Sequence, residues 1–139
     1  MRMVNMLTTR ELEVEISKKV EILKSCDEIS IDLIFERNIE KGEEGVYVFA
    51  DNQGYHYVIS ERGCELTHKV TDDVFEISFW VLYPLTLRMS FNYERKNRNN
   101  HNSRQVAFEK MLEYLSTLGI NFRKRGEIEI DEILKVNPY

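Results

Sequence analysis

The sequence predicts an α+β fold: a small antiparallel β-meander packed against a helical bundle with a kinked, buried central helix. Three observations predict it. Residues 46–70 hold three short runs rich in β-branched and aromatic side chains, separated by glycine-containing turns. Residues 74–89 are apolar on nearly every helical face, as in a helix at the centre of a core. Residues 8–24 and 103–119 repeat their apolar side chains at three- and four-residue spacing, the period of a helix with one buried face.

The first helix begins at Thr8. Thr8 and Glu11 stand in capping-box spacing, and Leu7 and Leu12 in hydrophobic-staple spacing. Leu12, Ile16, Val20 and Leu23 then share a face, opposite Glu11, Glu15, Lys18 and Lys19, and the helix runs to about Lys24. Residues 29–35 fit either a short strand or a buried loop. Gly42 and Gly45 bracket two glutamates and mark an exposed loop. Val46–Ala50 and Tyr55–Ser60 form a hairpin around Asp51-Asn52-Gln53-Gly54. Glu61-Arg62-Gly63 turns the chain into a third strand, Cys64 to Val70.

Thr71 is the expected N-cap of the central helix, with Asp72 and Asp73 favourable at its positive end. Pro84 lacks an amide donor and is expected to kink that helix or split it. Residues 96–103 are a polar loop, and Asn102 or Ser103 caps the next helix. That helix carries Phe108, Met111, Leu112, Leu115 and Leu118 and stops at Gly119. A last helix is expected from about Gly126, with Ile130, Ile133 and Leu134 inward and Pro138 ending it.

A chain of 139 residues without an internal repeat or a Pro/Gly linker is expected to be one domain, residues 1–139. Its apolar fraction of 42% and charged fraction of 31% place it among globular rather than disordered chains. Cys26 and Cys64 stand in no metal or redox spacing. The first seven residues are too polar for a signal peptide, and the densest apolar run, Ile77 to Leu87, is far shorter than the roughly 20 residues of a membrane span. The expectation is a cytoplasmic protein with no membrane association.

Charge is unevenly distributed. Residues 27–44 contain Asp27, Glu28, Asp32, Glu36, Glu40, Glu43 and Glu44 against only Arg37 and Lys41, a local net of −5 that equals that of the whole chain. Residues 93–125 show the reverse bias, with Arg95, Lys96, Arg98, Arg104, Lys110, Arg123, Lys124 and Arg125 outnumbering Glu94, Glu109 and Glu113. Such asymmetry suits a charged partner.

Chemistry-bearing motifs are sparse. His56, His68 and His101 have no second ligand at metal spacing, although His56 and His68 become neighbours if their strands pair. The six glycines are scattered, so no phosphate loop is written, and Ser60-Glu61-Arg62-Gly63 lacks the first glycine of a nucleophile elbow. No metal and no cofactor is expected. Arg88, Arg95, Arg98 and Arg104 among Phe91 and Tyr93 could bind a nucleic acid, but the acidic net charge argues against it. The favoured reading is an ion-pair network of Glu61, Arg62, Glu94, Arg98 and Arg104. Two other readings stay open: a small-molecule or enzymatic site using His56, His68 and Glu61, and a regulatory adaptor binding through Tyr47, Phe49, Tyr55 and Tyr57.

One ordered series of motifs carries a resemblance. It comprises Gly54-Tyr55-His56-Tyr57-Val58-Ile59-Ser60-Glu61-Arg62-Gly63 with Glu65, then Thr71-Asp72-Asp73 leading to Phe79-Trp80-Val81. Met89-Ser90, Tyr93-Glu94 with Arg98, Arg104 with Phe108, Glu129-Ile130, Ile133-Leu134 and Pro138-Tyr139 follow. From about Gly54 to Tyr139 the chain resembles the immunity protein 63 family, antitoxins of bacterial polymorphic-toxin and contact-dependent inhibition systems. Ser78 and Phe79 depart from the family's usual Leu and Tyr, and Arg104-Gln105 from its doubled arginine. The resemblance implies a non-enzymatic protein that binds a cognate toxin domain, expected to be a basic nuclease. The acidic side chains that would face it are Asp27, Glu28, Asp32, Glu36, Glu40, Glu43 and Glu44, with Asp51, Asp72 and Asp73 adding to the field.

Overall fold

A computed structural model describes residues 6–37, 44–98 and 102–139. In chain order these form α1 (Thr9–Lys24), β1 (Leu33–Ile34), β2 (Gly45–Asp51), β3 (Gly54–Glu61), β4 (Cys64–Thr71), α2 (Val74–Lys96), α3 (Ser103–Leu118) and α4 (Ile120–Val136). The fold is mixed α+β, as the sequence predicts. The chain divides into two compact units: the described residues of Met1–Lys18 with Ser30–Val81, and Lys19–Ile29 with Leu82–Tyr139.

The first unit is built on a four-stranded sheet of order β1-β2-β3-β4. β2, β3 and β4 form the expected antiparallel meander. β1 is only two residues long and pairs parallel to β2, Leu33 opposite Val46. Both hairpin turns are tighter than the sequence suggests. Asp51 pairs directly with Gly54 and Glu61 with Cys64, leaving two residues in each turn. Arg62 and Gly63 both adopt positive φ, 54° and 75°, the requirement of the mirror-image turn that matches strand twist.

Alternation gives this sheet two distinct faces. Tyr47, Phe49 and Val58 form a buried cluster with Ile34 against it. On the other face Tyr57 lies 6.3 Å from Trp80, and Lys69 Nζ sits 4.4 Å above the Trp80 ring. The start of α1 is tied to the same unit. Thr8 N–H donates to Glu11 Oε1 (2.9 Å) and Glu11 N–H to Thr8 Oγ1 (3.1 Å), which completes the predicted capping box. Leu7 N–H donates to the buried Tyr55 hydroxyl, and Ala50 N–H to Thr9 Oγ1.

The N-cap of α2 is Asp73 rather than Thr71. Asp73 Oδ1 accepts from Phe75 N–H at 2.8 Å, while Thr71 ends β4 and its hydroxyl accepts from Asp73 N–H. α2 then runs unbroken through Pro84, which lies on an exposed position where the missing donor is tolerated. The buried hydroxyl residues of α2 donate to the preceding turn: Ser78 Oγ to Val74 O, Thr86 Oγ1 to Tyr83 O and Ser90 Oγ to Thr86 O.

In the second unit Asn102 caps α3 by accepting from Gln105 N–H. Phe108, Met111 and Leu115 of the predicted stripe are buried. α4 begins at Ile120, six residues earlier than expected, so Gly126 lies inside it rather than opening it. The sequence misleads here because glycine reads as a boundary. Gly126 is instead the point of close helix approach: a Cβ added to it would lie 2.4 Å from Leu115 Cδ1. Tyr114 OH donates to Asp27 Oδ2 at 3.3 Å, and Phe91 meets Phe108 edge-on at 6.2 Å.

Candidate functional site

The acidic side chains singled out by the sequence do not form one run in space. Asp27 is half-buried and accepts from Tyr114, and Glu28 beside it is exposed. Both belong to the second unit. In the first unit the parallel pairing of β1 with β2 sets Asp32 beside Gly45, and therefore beside Glu44. Gly45 pairs with Ser60, and Ser60 with Glu65, so Glu61 and Glu65 mark the same end of the sheet. Asp32, Glu44, Glu61 and Glu65 are all exposed there. Glu44 Oε1 also accepts from Arg62 N–H at 3.1 Å, which fixes it against the β3–β4 turn.

Asp51, Asp72 and Asp73 mark the opposite end of the sheet, and Asp73 is engaged as the cap of α2. Glu36 is exposed in the segment after β1. Glu40, Glu43 and His101 lie outside the described residues. Sequence reasoning did not group Glu65 with the acidic set. Its signal was the tight turn at Arg62-Gly63, which returns the chain beside Glu44.

The expected ion-pair network is smaller than the sequence suggests. Glu94 is buried and its carboxylate accepts from Arg98 Nε (3.1 Å) and Nη2 (2.9 Å). Arg98's hydrogen bonds hold the Glu94 carboxyl below the usual range; burial opposes them, and the Ser103 hydroxyl adds to the lowering. Arg104 stacks instead over the rings of Phe108 and Tyr139, 5.9 and 5.4 Å from their centroids. Glu61 and Arg62 belong to the sheet unit, where Arg62 contributes its backbone N–H to Glu44. A guanidinium offered an aromatic face has an alternative to a carboxylate, and spacing alone does not reveal which it takes.

His56 and His68 meet across β3 and β4 as the sequence allows. His56 Nδ1 lies 2.8 Å from His68 Nε2, and His56 Nε2 lies 2.8 Å from Asp51 Oδ1. The His68 ring reaches Glu65 Oε1 at 3.0 Å through Nδ1. Glu61, the third group of the alternative small-molecule site, stands instead at the turn end of β3, paired with Cys64. Among the described residues no group of three or more His, Cys, Asp or Glu side chains has the arrangement of a metal site. Among the same residues no helix is long and apolar enough to cross a membrane.

A four-stranded sheet with this order, followed by three consecutive helices, defines a mixed α+β protein that presents carboxylates at the ends of its sheet. Residues 51–132, more than half of the chain, match the family model of immunity protein 63, and the chain belongs to that family. It is accordingly an immunity protein, a partner directed against a cognate toxin. No curated protein and no solved structure matches it.

Proposed function

We propose that the chain neutralises a basic nuclease toxin of a polymorphic-toxin or contact-dependent inhibition system, in the bacterial cytoplasm, by tight association and without catalysis. The observation that carries this reading is the local net charge of −5 over residues 27–44, set beside membership of an immunity family. A nuclease cleft is lined with cations that hold phosphates. Carboxylates on a folded frame can occupy that cleft or cover its rim, and opposite potentials raise association rates well above the neutral level of about 10⁵–10⁶ M⁻¹s⁻¹. Asp32 and Glu44, joined by Glu61 and Glu65 at one end of the sheet, support the reading because their carboxylates are exposed. The matched residues are largely core and ion-pair types, so the contacts that select one toxin fall to positions outside the matched stretch, Glu28, Asp32, Glu36, Glu40, Glu43 and Glu44 among them.

The test is co-expression with the toxin domain encoded beside it, followed by stopped-flow association. Reversing Glu36, Glu40, Glu43 and Glu44 together is expected to slow association about tenfold or more at low salt and to flatten its salt dependence. Unchanged kinetics would remove the acidic surface from the interface.

A further inference from the structure

Four titratable side chains of the sheet unit form one continuous chain of contacts, Asp51–His56–His68–Glu65. Two features show it to be built. The His56 ring is buried and stacked on Phe49, 4.5 Å between centroids and 7° from parallel, so its edge is aimed. The second is a register shift in the β3–β4 pairing at Ile59/Ser60. In a regular strand residues 65 and 68 would point to opposite faces. The shift sets Glu65 opposite Ser60 and His68 opposite Val58, which puts both on one face. Without it Glu65 could not reach His68.

Proton counting then decides what the chain can do. Three contacts link two carboxylates and four ring nitrogens, and each contact needs one proton. An ionised carboxylate only accepts, and a neutral imidazole carries one N–H. Two neutral imidazoles therefore supply two protons for three contacts. We infer that Asp51–His56–His68–Glu65 is a one-proton clasp, whole only over the bounded pH interval in which the two imidazoles share three protons, and that through its His56–His68 contact it ties edge strand β4 to β3 until a fourth proton is bound.

Each side of that interval fails differently. With a fourth proton, His56 Nδ1–H and His68 Nε2–H face each other across a 2.8 Å contact that cannot hold two donors. His56 is fixed by Phe49 and Asp51, so His68 and the edge strand must give way. With only two protons one contact is lost, and the cheapest to release is Glu65, whose exposed carboxylate returns to water. The charged groups that face the pair are Asp51 from β2, Glu65 from β4 and, through Asp51, Arg37 from the segment after β1. Lys69 lies on the other face, over Tyr57 and Trp80. Burial pushes the Asp51 carboxyl up, but the Gln53 backbone N–H and His56 more than offset it, so Asp51 remains an acceptor throughout.

The experiment is long-range ¹H–¹⁵N NMR of the histidine ring nitrogens of the full chain through the imidazole range, about pH 5 to 8 and one unit either side. Expected are two separated protonation steps, with coupling between His56 Nδ1 and His68 Nε2 lost below the lower step and kept above it, where only the His68 Nδ1 contact to Glu65 is released. A single shared, uncoupled step for both rings would overturn the clasp. Thermal unfolding gives the second readout. The wild type is expected to peak between the steps and to fall by a few degrees, about 2–5 °C, on either side. His68→Gln, which can donate without titrating, flattens both flanks. Glu65→Ala removes the need for a third proton, so the alkaline flank alone disappears. Profiles of both variants parallel to wild type would refute the inference even if either variant is less stable overall.

Discussion

Substitution of Gly126 by alanine sets two effects of similar size against each other. Glycine in a helix interior is unfavourable relative to alanine by about 0.8–1.0 kcal/mol, so propensity alone predicts that the change stabilises α4. The close approach of α3 predicts the opposite. The new methyl would stand 2.4 Å from Leu115 Cδ1 and 3.3 Å from Leu112 Cδ2. Leu115 is fully buried and cannot swing into solvent, so the helices must separate or Leu115 must leave its rotamer. Overpacking of this kind costs about 1–3 kcal/mol. The balance is a net loss of about 1 kcal/mol, within limits of about 0 and 2. At this chain length that lowers Tm by about 3–4 °C. Gly126→Val adds two further methyls and is expected to lose clearly more. Differential scanning calorimetry of Gly126→Ala, Leu115→Val and the double variant measures the effect and its origin. Shortening Leu115 should relieve the clash, giving a favourable coupling of at least about 0.5 kcal/mol. A rise in Tm for Gly126→Ala alone would refute the close approach of the two helices.

Four further outcomes follow from the structure. Asp73→Ala should lower stability by about 1 kcal/mol through loss of the α2 cap, whereas Asn or Ser at that position should retain most of it, read by urea unfolding. Glu94 is lowered in the folded state, so its stabilisation is present above the unfolded glutamate value of about 4.3 and is lost as pH falls through the lower folded one. Glu94→Gln should therefore flatten the acid limb of the stability profile. Burial, with the Asp27 carboxylate beside it, pushes the Tyr114 hydroxyl up, so the protonated phenol favours the fold and its contribution is lost as pH rises beyond about 10. Tyr114→Phe should reduce that alkaline loss, with Tyr57 and Tyr83 keeping part of it. Finally, Asp32→Lys and Asp72→Lys reverse charge at opposite ends of the sheet. Slower toxin association for Asp32→Lys alone would assign the Glu44 end to the interface, and equal rates for both would exclude a localised acidic contact.

Local features of the fold were legible because they rest on local rules. The Thr8–Glu11 box, the Leu12–Leu23 face, a cap at Asn102 or Ser103 and a turn within Glu61-Arg62-Gly63 depend on residues a few positions apart. What the sequence concealed depends on distant partners. Asp73 displaces Thr71 as cap because β4 extends to Thr71 to pair with Tyr55, which removes Thr71 from the helix start. Gly126 imitates a helix boundary because its packing partner, Leu115, is on another helix. Neither conflict is visible in a window of neighbouring residues.

The candidate surface divides along the same line. A run of acidic residues is visible in the sequence as net charge, but charge along the chain says nothing about charge on a face. Parallel pairing of the two-residue β1 brings Asp32 to Glu44, and the turn at Arg62-Gly63 brings Glu61 and Glu65 to the same end. Hydrogen bonding further separates carboxylates that build the fold from those that only decorate it. Asp27, Asp51 and Asp73 accept from Tyr114, His56 and Phe75 respectively, so replacing them changes stability as well as field. Asp32, Glu36 and Asp72 are exposed. A carboxylate that holds the frame cannot vary freely when a toxin changes its surface, whereas one that faces only water can. Specificity for one toxin over its relatives should therefore concentrate in the second group. A loss of protection caused by changes in the first group is to be checked against stability before it is read as loss of contact.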